Sequence, residues 1–401
     1  MRSGVVAIWV GAGLSCAGGA AFAADAHRIN IQAIVTETYD SNVARSNAAL
    51  AAERGVNPQD WITHPSIAVD ILIPVSRQSV FLKGSVGYDF YARNSNLSAG
   101  NIDLQGGAHL LVRHCQATLA GGIVYQQSDL QNLSLAATRN INDTESVSLD
   151  GSCGAAVGFA PTLALTQEWS NNSAPELKQS NYRDFNVTAG LAYRRPLFGQ
   201  LSAYFTYDDA TYPNRGLFVV APALLQDGYH TYGGGVRYER RFGARIEGDV
   251  KVAYTSLRPV NPLVRGFDGP TFGADLNFRF SRVLQAQLSL ARAVNPTIRP
   301  DVTYGIENSV SGTISYTVGR KLNLAVGASG ESNSYRGRPL IIVLNQDVTS
   351  ERIWGVFASA KYQLNRRIGF GLDYHHEQRD AHPTDFSYTD DRVVLSISGT
   401  I

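Results

Sequence analysis

The chain has 401 residues, and its 35 lysines and arginines against 34 acids leave a formal charge of +1. So even a balance gives no polybasic attraction to nucleic acid or to anionic lipid. Beyond residue 23 no run of about twenty apolar residues occurs, which excludes helical membrane spans.

Met1 and Arg2 make a minimal positive start, and residues 5–14 form an apolar core too short to cross a bilayer. Ala21-Phe22-Ala23 supplies the small-x-small pattern ahead of a cleavage before Ala24. We therefore expect a signal peptide over residues 1–23 and one mature domain, a barrel, over residues 24–401. A lipid anchor at Cys16 is set aside, because Leu14 stands one place closer to it than the usual lipidation box has it. Cleavage leaves Cys115 and Cys153 as the remaining cysteines, which suits a disulfide-permissive compartment.

From there onward one pattern repeats. Apolar and polar side chains alternate in segments of roughly ten to fifteen residues, separated by turn signals. Leu322, Leu324, Val326 and Ala328 fall on one face of such a segment, with Asn323, Ala325, Gly327 and Ser329 on the other. Val393, Leu395, Ile397 and Ile401 oppose Val394, Ser396, Ser398 and Thr400 in the same way. Tight turns are expected at 74–77, 114–116, 158–161, 196–199, 242–244, 281–282, 319–320 and 365–367. Longer polar loops alternate with them, at 40–59, 93–98, 128–141, 171–181, 212–226, 258–266, 295–300, 335–347 and 380–384. Short turns on one rim and long loops on the other specify an all-β fold, a transmembrane antiparallel up-and-down β-barrel of about 18 strands, with about 16 as the alternative. The long loops should face outward from the cell, with Arg45, Glu53 and Arg54 of the first one accessible at the surface.

The aromatic residues sort by height. Near the turns the outward phase carries Tyr193, Tyr238, Phe280, Tyr316 and Tyr362; near the loops it carries Tyr39, Tyr88, Tyr125, Trp169, Tyr207, Tyr254 and Tyr374. Two belts with small aliphatic residues between them match the girdles of a lipid-facing wall, and a soluble sandwich has no reason to sort them so. The opposite phase is charged, with Asp70, Lys83, Asp89, Asp103, Arg113, Glu168, Arg194, Asp373 and Arg379 directed inward. These side chains require water or one another, so the lumen should be polar.

The densest charge lies at Arg237, Glu239, Arg241, Arg245, Glu247, Asp249, Lys251, Asp275 and Arg279, all expected to line the pore. A turn at 242–244 would set Arg241 opposite Arg245, Glu239 opposite Glu247 and Arg237 opposite Asp249. Two readings follow. Either the ladder neutralises itself and stiffens the wall, or unpaired arginines near the narrow part bias passage toward anionic solutes. Cys115 and Cys153 share the outward phase near the turn rim in a register that reads as diagonal, so a disulfide and two inert thiols both stay open.

Catalytic constellations are lacking. His375-His376-Glu377 is divided between the two faces of its strand, so three ligands cannot converge and no metal site is expected. Asp208-Asp209 and Asp390-Asp391 lie near the loop rim like the acid pairs of outer-membrane proteases, but paired acids at strand ends are ordinarily solvated or hold divalent ions loosely. No Ser-His-acid spacing, phosphate loop or Cys-x-x-Cys pair stands out, so neither an enzyme nor a cofactor is expected. Gly233-Gly234-Gly235 reads as strand positions that allow bending or close packing.

Several short motifs carry a family likeness. Thr38-Tyr39-Asp40-Ser41-Asn42, Tyr88-Asp89-Phe90-Tyr91, the stretch ending in Tyr212-Pro213-Asn214 and the turn Tyr362-Gln363-Leu364-Asn365-Arg366-Arg367 resemble the β-barrel porin type 2 family across essentially the whole mature chain. The last strand resembles the terminal signal read by the barrel-assembly machinery, with Ile401 in place of the usual aromatic. Members of that family are often associated with exopolysaccharide production, so the resemblance implies an outer-membrane protein of a Gram-negative bacterium that moves or accommodates secreted polysaccharide. The expected function is a porin-like channel for passive passage of polar solutes. Its expected partners are outer-membrane lipid, the barrel-assembly machinery and polysaccharide, with no nucleic acid and no oligomeric state assigned. A non-conducting structural barrel and a rim-active hydrolase using Asp208 or Asp390 are the alternatives.

Overall fold

A computed structural model describes residues 27–128, 130, 139–216, 226–297, 302–337 and 348–401; the expected signal peptide lies outside the described residues. The alternating segments become eighteen strands. The first six are β1 (Arg28–Asp40), β2 (Asp60–Val75), β3 (Gln78–Tyr91), β4 (Ala99–Val112), β5 (Cys115–Gln127) and β6 (Ile141–Cys153). Next come β7 (Gly158–Asn172), β8 (Tyr182–Arg195), β9 (Gly199–Gly216), β10 (Gln226–Phe242), β11 (Ile246–Pro259) and β12 (Phe267–Arg279). The last six are β13 (Leu284–Asn295), β14 (Val302–Val318), β15 (Leu322–Gly337), β16 (Ser350–Gln363), β17 (Ile368–His382) and β18 (Tyr388–Thr400). Each strand pairs antiparallel with its sequence neighbours, and β1 pairs with both β2 and β18, so the sheet closes on itself. Closure removes every free edge.

The eight connections on one rim have two to four residues, and the nine on the other have five to nineteen. Some turn positions differ from the sequence reading. The reversal expected at 158–161 falls at 154–157, because Gly154 and Gly158 take φ of 148° and 105°, where other residues are strained, and Pro161 is already within β7. Arg113, expected on the wall, occupies a two-residue turn with φ of 54°.

Register settles which side chains face out. Val35 lies across from Pro65, Val236 from Val252 and Val326 from Ala358, and such apolar outer side chains are largely exposed, an arrangement that lipid favours and water does not. Aromatic pairs bracket this band: Tyr39 with Trp61 and Tyr207 with Tyr232 near the loops, Phe159 with Tyr193 and Phe198 with Tyr238 near the turns, their ring centres 5.2–5.4 Å apart. Phe280 sits in the turn between β12 and β13.

Cys115 and Cys153 are direct register partners on β5 and β6, not diagonal ones, and they form a disulfide on the outer face. The bridge spans 38 residues, which in the chain-entropy view corresponds to about 4 kcal/mol taken from the unfolded state. Alkylation followed by mass spectrometry should find no free thiol in protein from an oxidising compartment. Replacing both cysteines by serine should lower the urea midpoint without changing the folded barrel. Two alkylated thiols in the parent protein would overturn this.

Candidate functional site at the barrel mouth

The longest connection, residues 41–59, turns inward. Asn47 caps a short helix, α1 (Ala48–Glu53), by accepting the Leu50 amide at 2.9 Å. Six residues are too few to hold a helix in water, so packing must stabilise it. Ala51, with Val43, Ala44 and Val56, packs against Leu97, Leu130, Ala174 and Leu177 from the connections after β3, β5 and β7. Leu50 packs on the other side against Val348, Ala381 and Phe386, from around β16 and β17. Loops from two arcs of the rim thus meet on one segment within the mouth.

Charge locks that segment to the seam where the barrel closes. Arg45 reaches Asp40 at 2.8 Å and Asp390 at 2.7 Å, from the inward ends of β1 and β18. Arg392 joins Asp390 at 2.9 Å and Glu377 at 3.1 Å. Arg54 donates to the carbonyls of Ala44 and Leu130 at 3.0 and 3.2 Å. Arg45 and Arg54 are therefore buried, and the expectation that they would be surface-accessible fails; Glu53 of the same loop is exposed. A second buried network lies nearby: Arg379 on β17 pairs with Glu351 on β16 through Nε at 2.7 Å, and Glu351 also accepts from Asn333 at 3.0 Å and from the Tyr335 hydroxyl.

The start of β14 is drawn inward and tied to β9 as well. Tyr212, inward on β9, donates its hydroxyl to the Thr303 carbonyl at 2.8 Å, and Arg215 donates to the Val302 carbonyl at 2.8 Å. Tyr304 packs into a lumenal cluster with Ala210, Tyr229, Leu257, Val264 and Phe267. The narrow part of the barrel is thus at the long-loop rim.

The charged ladder lies elsewhere. Its strands close through Phe242 and Ile246, each one position further on than the expected Arg241 and Arg245, so every partner moves by two: Arg241 opposes Glu247, Glu239 opposes Asp249 and Arg237 opposes Lys251. Arg245 belongs to the turn and not to the wall. Arg241 bonds Glu247 at 3.0 Å in an open position near the turn rim. Arg237 sits between Glu239, at 2.8 Å, and Asp249, whose oxygens its Nε meets at 2.9 and 3.0 Å. Asp275 accepts the Ser289 hydroxyl at 2.7 Å, and Lys251 and Arg279 share the inward phase. Neither Arg237 nor Arg241 is unpaired, and neither stands at the constriction.

The remaining candidates separate as alternation dictates. His375 and Glu377 face in, while His376 faces out and meets Asp391 at 2.8 Å. Asp208 and Asp390 face in, and Asp209 and Asp391 face out, so each adjacent pair is divided by the wall and cannot act jointly. Buried polar anchors at the mouth escaped the sequence reading. Asp60 takes the amides of Arg93 and Asn94 at 2.8 Å each, and Asn140 links Ser128 to Asn172 at 2.8 Å each. Asparagine and aspartate at many of the strand–loop junctions were the available signal, but turns use the same residues.

Residues 221–400 match the model of the family described as Putative beta-barrel porin 2. Among curated proteins no sequence matches the chain. Solved structures that resemble it include the outer membrane protein opdK from Pseudomonas aeruginosa, 11% identical with a TM-score of 0.48, where the alignment covers 93% of this chain and 98% of that one. Pseudomonas aeruginosa OccK3 (OpdO) is 14% identical with a TM-score of 0.48, over 93% and 96% of the two chains. Acinetobacter baumannii OccAB3 is 9% identical with a TM-score of 0.45, over 93% and 99%.

Proposed function

We propose that the chain is an outer-membrane channel that passes small polar solutes through a charged lumen and past a mouth narrowed by its own loops. The division of the wall carries this reading: one closed sheet presents apolar side chains outward and Arg237, Asp249, Lys251, Asp275 and their neighbours inward. A charge facing the bilayer midplane would cost about 2–4 kcal/mol for Arg or Lys, whereas a water-filled lumen accommodates it. The match of residues 221–400 to a porin family supports the same reading.

Stepwise conductance of the refolded barrel in planar bilayers is the test. Because the ladder's arginines are paired, the parent channel should select only weakly between ions. Replacing Arg237, Arg241 and Arg245 together by alanine leaves Glu239, Glu247 and Asp249 without these partners, so the reversal potential in a salt gradient should shift toward cations. An unchanged reversal potential would make the ladder scaffolding. Complete absence of current would favour the second reading, a non-conducting structural barrel, which the inward loop 41–59 supports.

A finer reading is passage or accommodation of secreted polysaccharide. Flat rings on the inner wall support it: Phe81 stacks on His109 at 4.9 Å, and Phe357 on His375 at 5.8 Å. Added oligosaccharide should then interrupt the current in a concentration-dependent way. The outward apolar residues of β18 suit recognition by the assembly machinery.

A further inference from the structure

The barrel wall parts below the loop rim between β12 and β13. These strands pair over eight of the thirteen positions of β12, from Arg279–Gln285 near the turn to Phe272–Arg292. Their other neighbours continue further: β11 pairs with β12 as far as Leu257–Phe267, and β14 with β13 as far as Gly305–Asn295. Among the described residues, 267–271 and 293–295 therefore have no partner across the gap. Pro270 lies in that stretch and brings no amide to bond with, which suits a place where the ladder has ended. It faces the exposed Tyr254 of β11, so the parting lies at the height of the aromatic belt near the loops.

Side chains from opposite faces meet through this gap. Alternation puts Arg292 on the outer face, between Phe272 and Asn308, and Phe267 on the inner face beside Leu257. A continuous sheet would keep them apart. Yet the guanidinium carbon of Arg292 lies 5.8 Å from the centre of the Phe267 ring. Val294 and Ile306, in the same outward phase as Arg292, likewise pack on the lumenal cluster that holds Phe267. The parting is thus a slot through the wall, filled by apolar side chains and one cation.

That cation lacks a counter-charge. Among the described residues Arg292 makes no ion pair; its Nη1 donates to Asn308 Oδ1 at 2.7 Å, and its Nε is buried without a partner. A guanidinium on the lipid side of a barrel is costly unless something negative meets it. Nε and Nη2 together form the fork that takes both oxygens of a carboxylate. The apolar side chains around Phe267 suit hydrocarbon instead.

We propose that the slot between β12 and β13 is a lateral binding site for a long-chain carboxylate, with Arg292 holding the carboxylate and the chain displacing the apolar side chains that fill the gap. Head and tail match what the slot offers, one cation beside an apolar lining. Because the slot joins the two faces of the wall, a molecule seated there touches lumen and lipid at once.

The probe is hexadecanoate carrying a diazirine in its chain, photolysed with the refolded barrel in detergent and mapped by mass spectrometry. Label should fall on 264–272 and 290–294, and plain hexadecanoate should displace it while hexadecyltrimethylammonium should not. R292Q, which removes charge-assisted bonds, should cut labelling roughly tenfold or more. R352Q, in the same outward phase three strands away, should leave it unchanged. Thr271–Ala293 is the pair that would follow Phe272–Arg292 in the register, so oxidised T271C/A293C should close the slot and abolish the label, whereas T271S/A293S should keep it. Should the cysteine pair not oxidise, R292Q decides. Label spread evenly round the wall, label that survives R292Q or the closed disulfide, or equal displacement by the cationic amphiphile overturns the proposal. The readout involves no current, so it stands or falls separately from conductance.

Discussion

Arg45→Ala is expected to raise single-channel conductance several-fold and to make it noisy, while the barrel still folds. The guanidinium supplies the positive charge that ties Asp40 and Asp390 together from within loop 41–59, beside the Asn42 amide that donates to both, and both acids are buried. Removing one partner from such a buried network costs about 3–5 kcal/mol, since Asp40 loses its ion-pair partner in a buried place while Asp390 keeps only Arg392. That cost need not unfold eighteen hydrogen-bonded strands, because the loop can swing out and let water reach the acids. The same release should expose Arg54, so trypsin should cut after it in the variant and not in the parent. Parental conductance together with protection at Arg54 would show that the apolar contacts of Leu50 and Ala51 hold the loop alone.

Glu351→Ala should have the larger effect on stability. Arg379 has no solvent-exposed side-chain surface, and Glu351 is its carboxylate partner. Truncation removes the carboxylate that the buried Arg379 guanidinium, Asn333 and Tyr335 share, so a loss of about 3–5 kcal/mol is expected. The urea midpoint of the barrel refolded into vesicles measures it. The double variant E351A/R379M should recover most of the loss, because an apolar side chain of similar length needs no counter-charge. Equal instability of single and double variants would assign the cost to lost packing instead.

Much of this architecture is legible from alternation alone. A period of two fixes which of Val326 and Gly327, or of Asp208 and Asp209, faces out, whatever the strand's neighbours are. Turn residues then separate the segments well enough to count them. Register is another matter, because it depends on which residues close each turn. Closing at Phe242 and Ile246 instead of at Arg241 and Arg245 moved every ladder partner by two places, turned an Arg–Arg clash into an Arg–Glu pair and put Arg245 off the wall. The mouth was hidden for a further reason. Arg45 meets Asp390 across 345 positions of sequence, and the apolar residues within 41–59, Val43, Leu50, Val56 and a few alanines, follow no periodicity that would mark the loop as buried.

The seam between β1 and β18 also fixes an order of events. Asp40 faces Arg392 there, so the two strands that finish the cylinder are about as far apart in the chain as any in the molecule. Bringing such distant ends together costs roughly 5 kcal/mol of loop entropy before any hydrogen bond repays it, which makes this contact late and slow. Until it forms, the growing sheet carries two raw edges able to pair with any other strand. The receptor for Arg45 does not exist at that stage either, because its two acids arrive from opposite ends of the chain. The barrel therefore passes through a stage in which it is nearly complete but still unplugged, and the mouth narrows only once the last strand has docked.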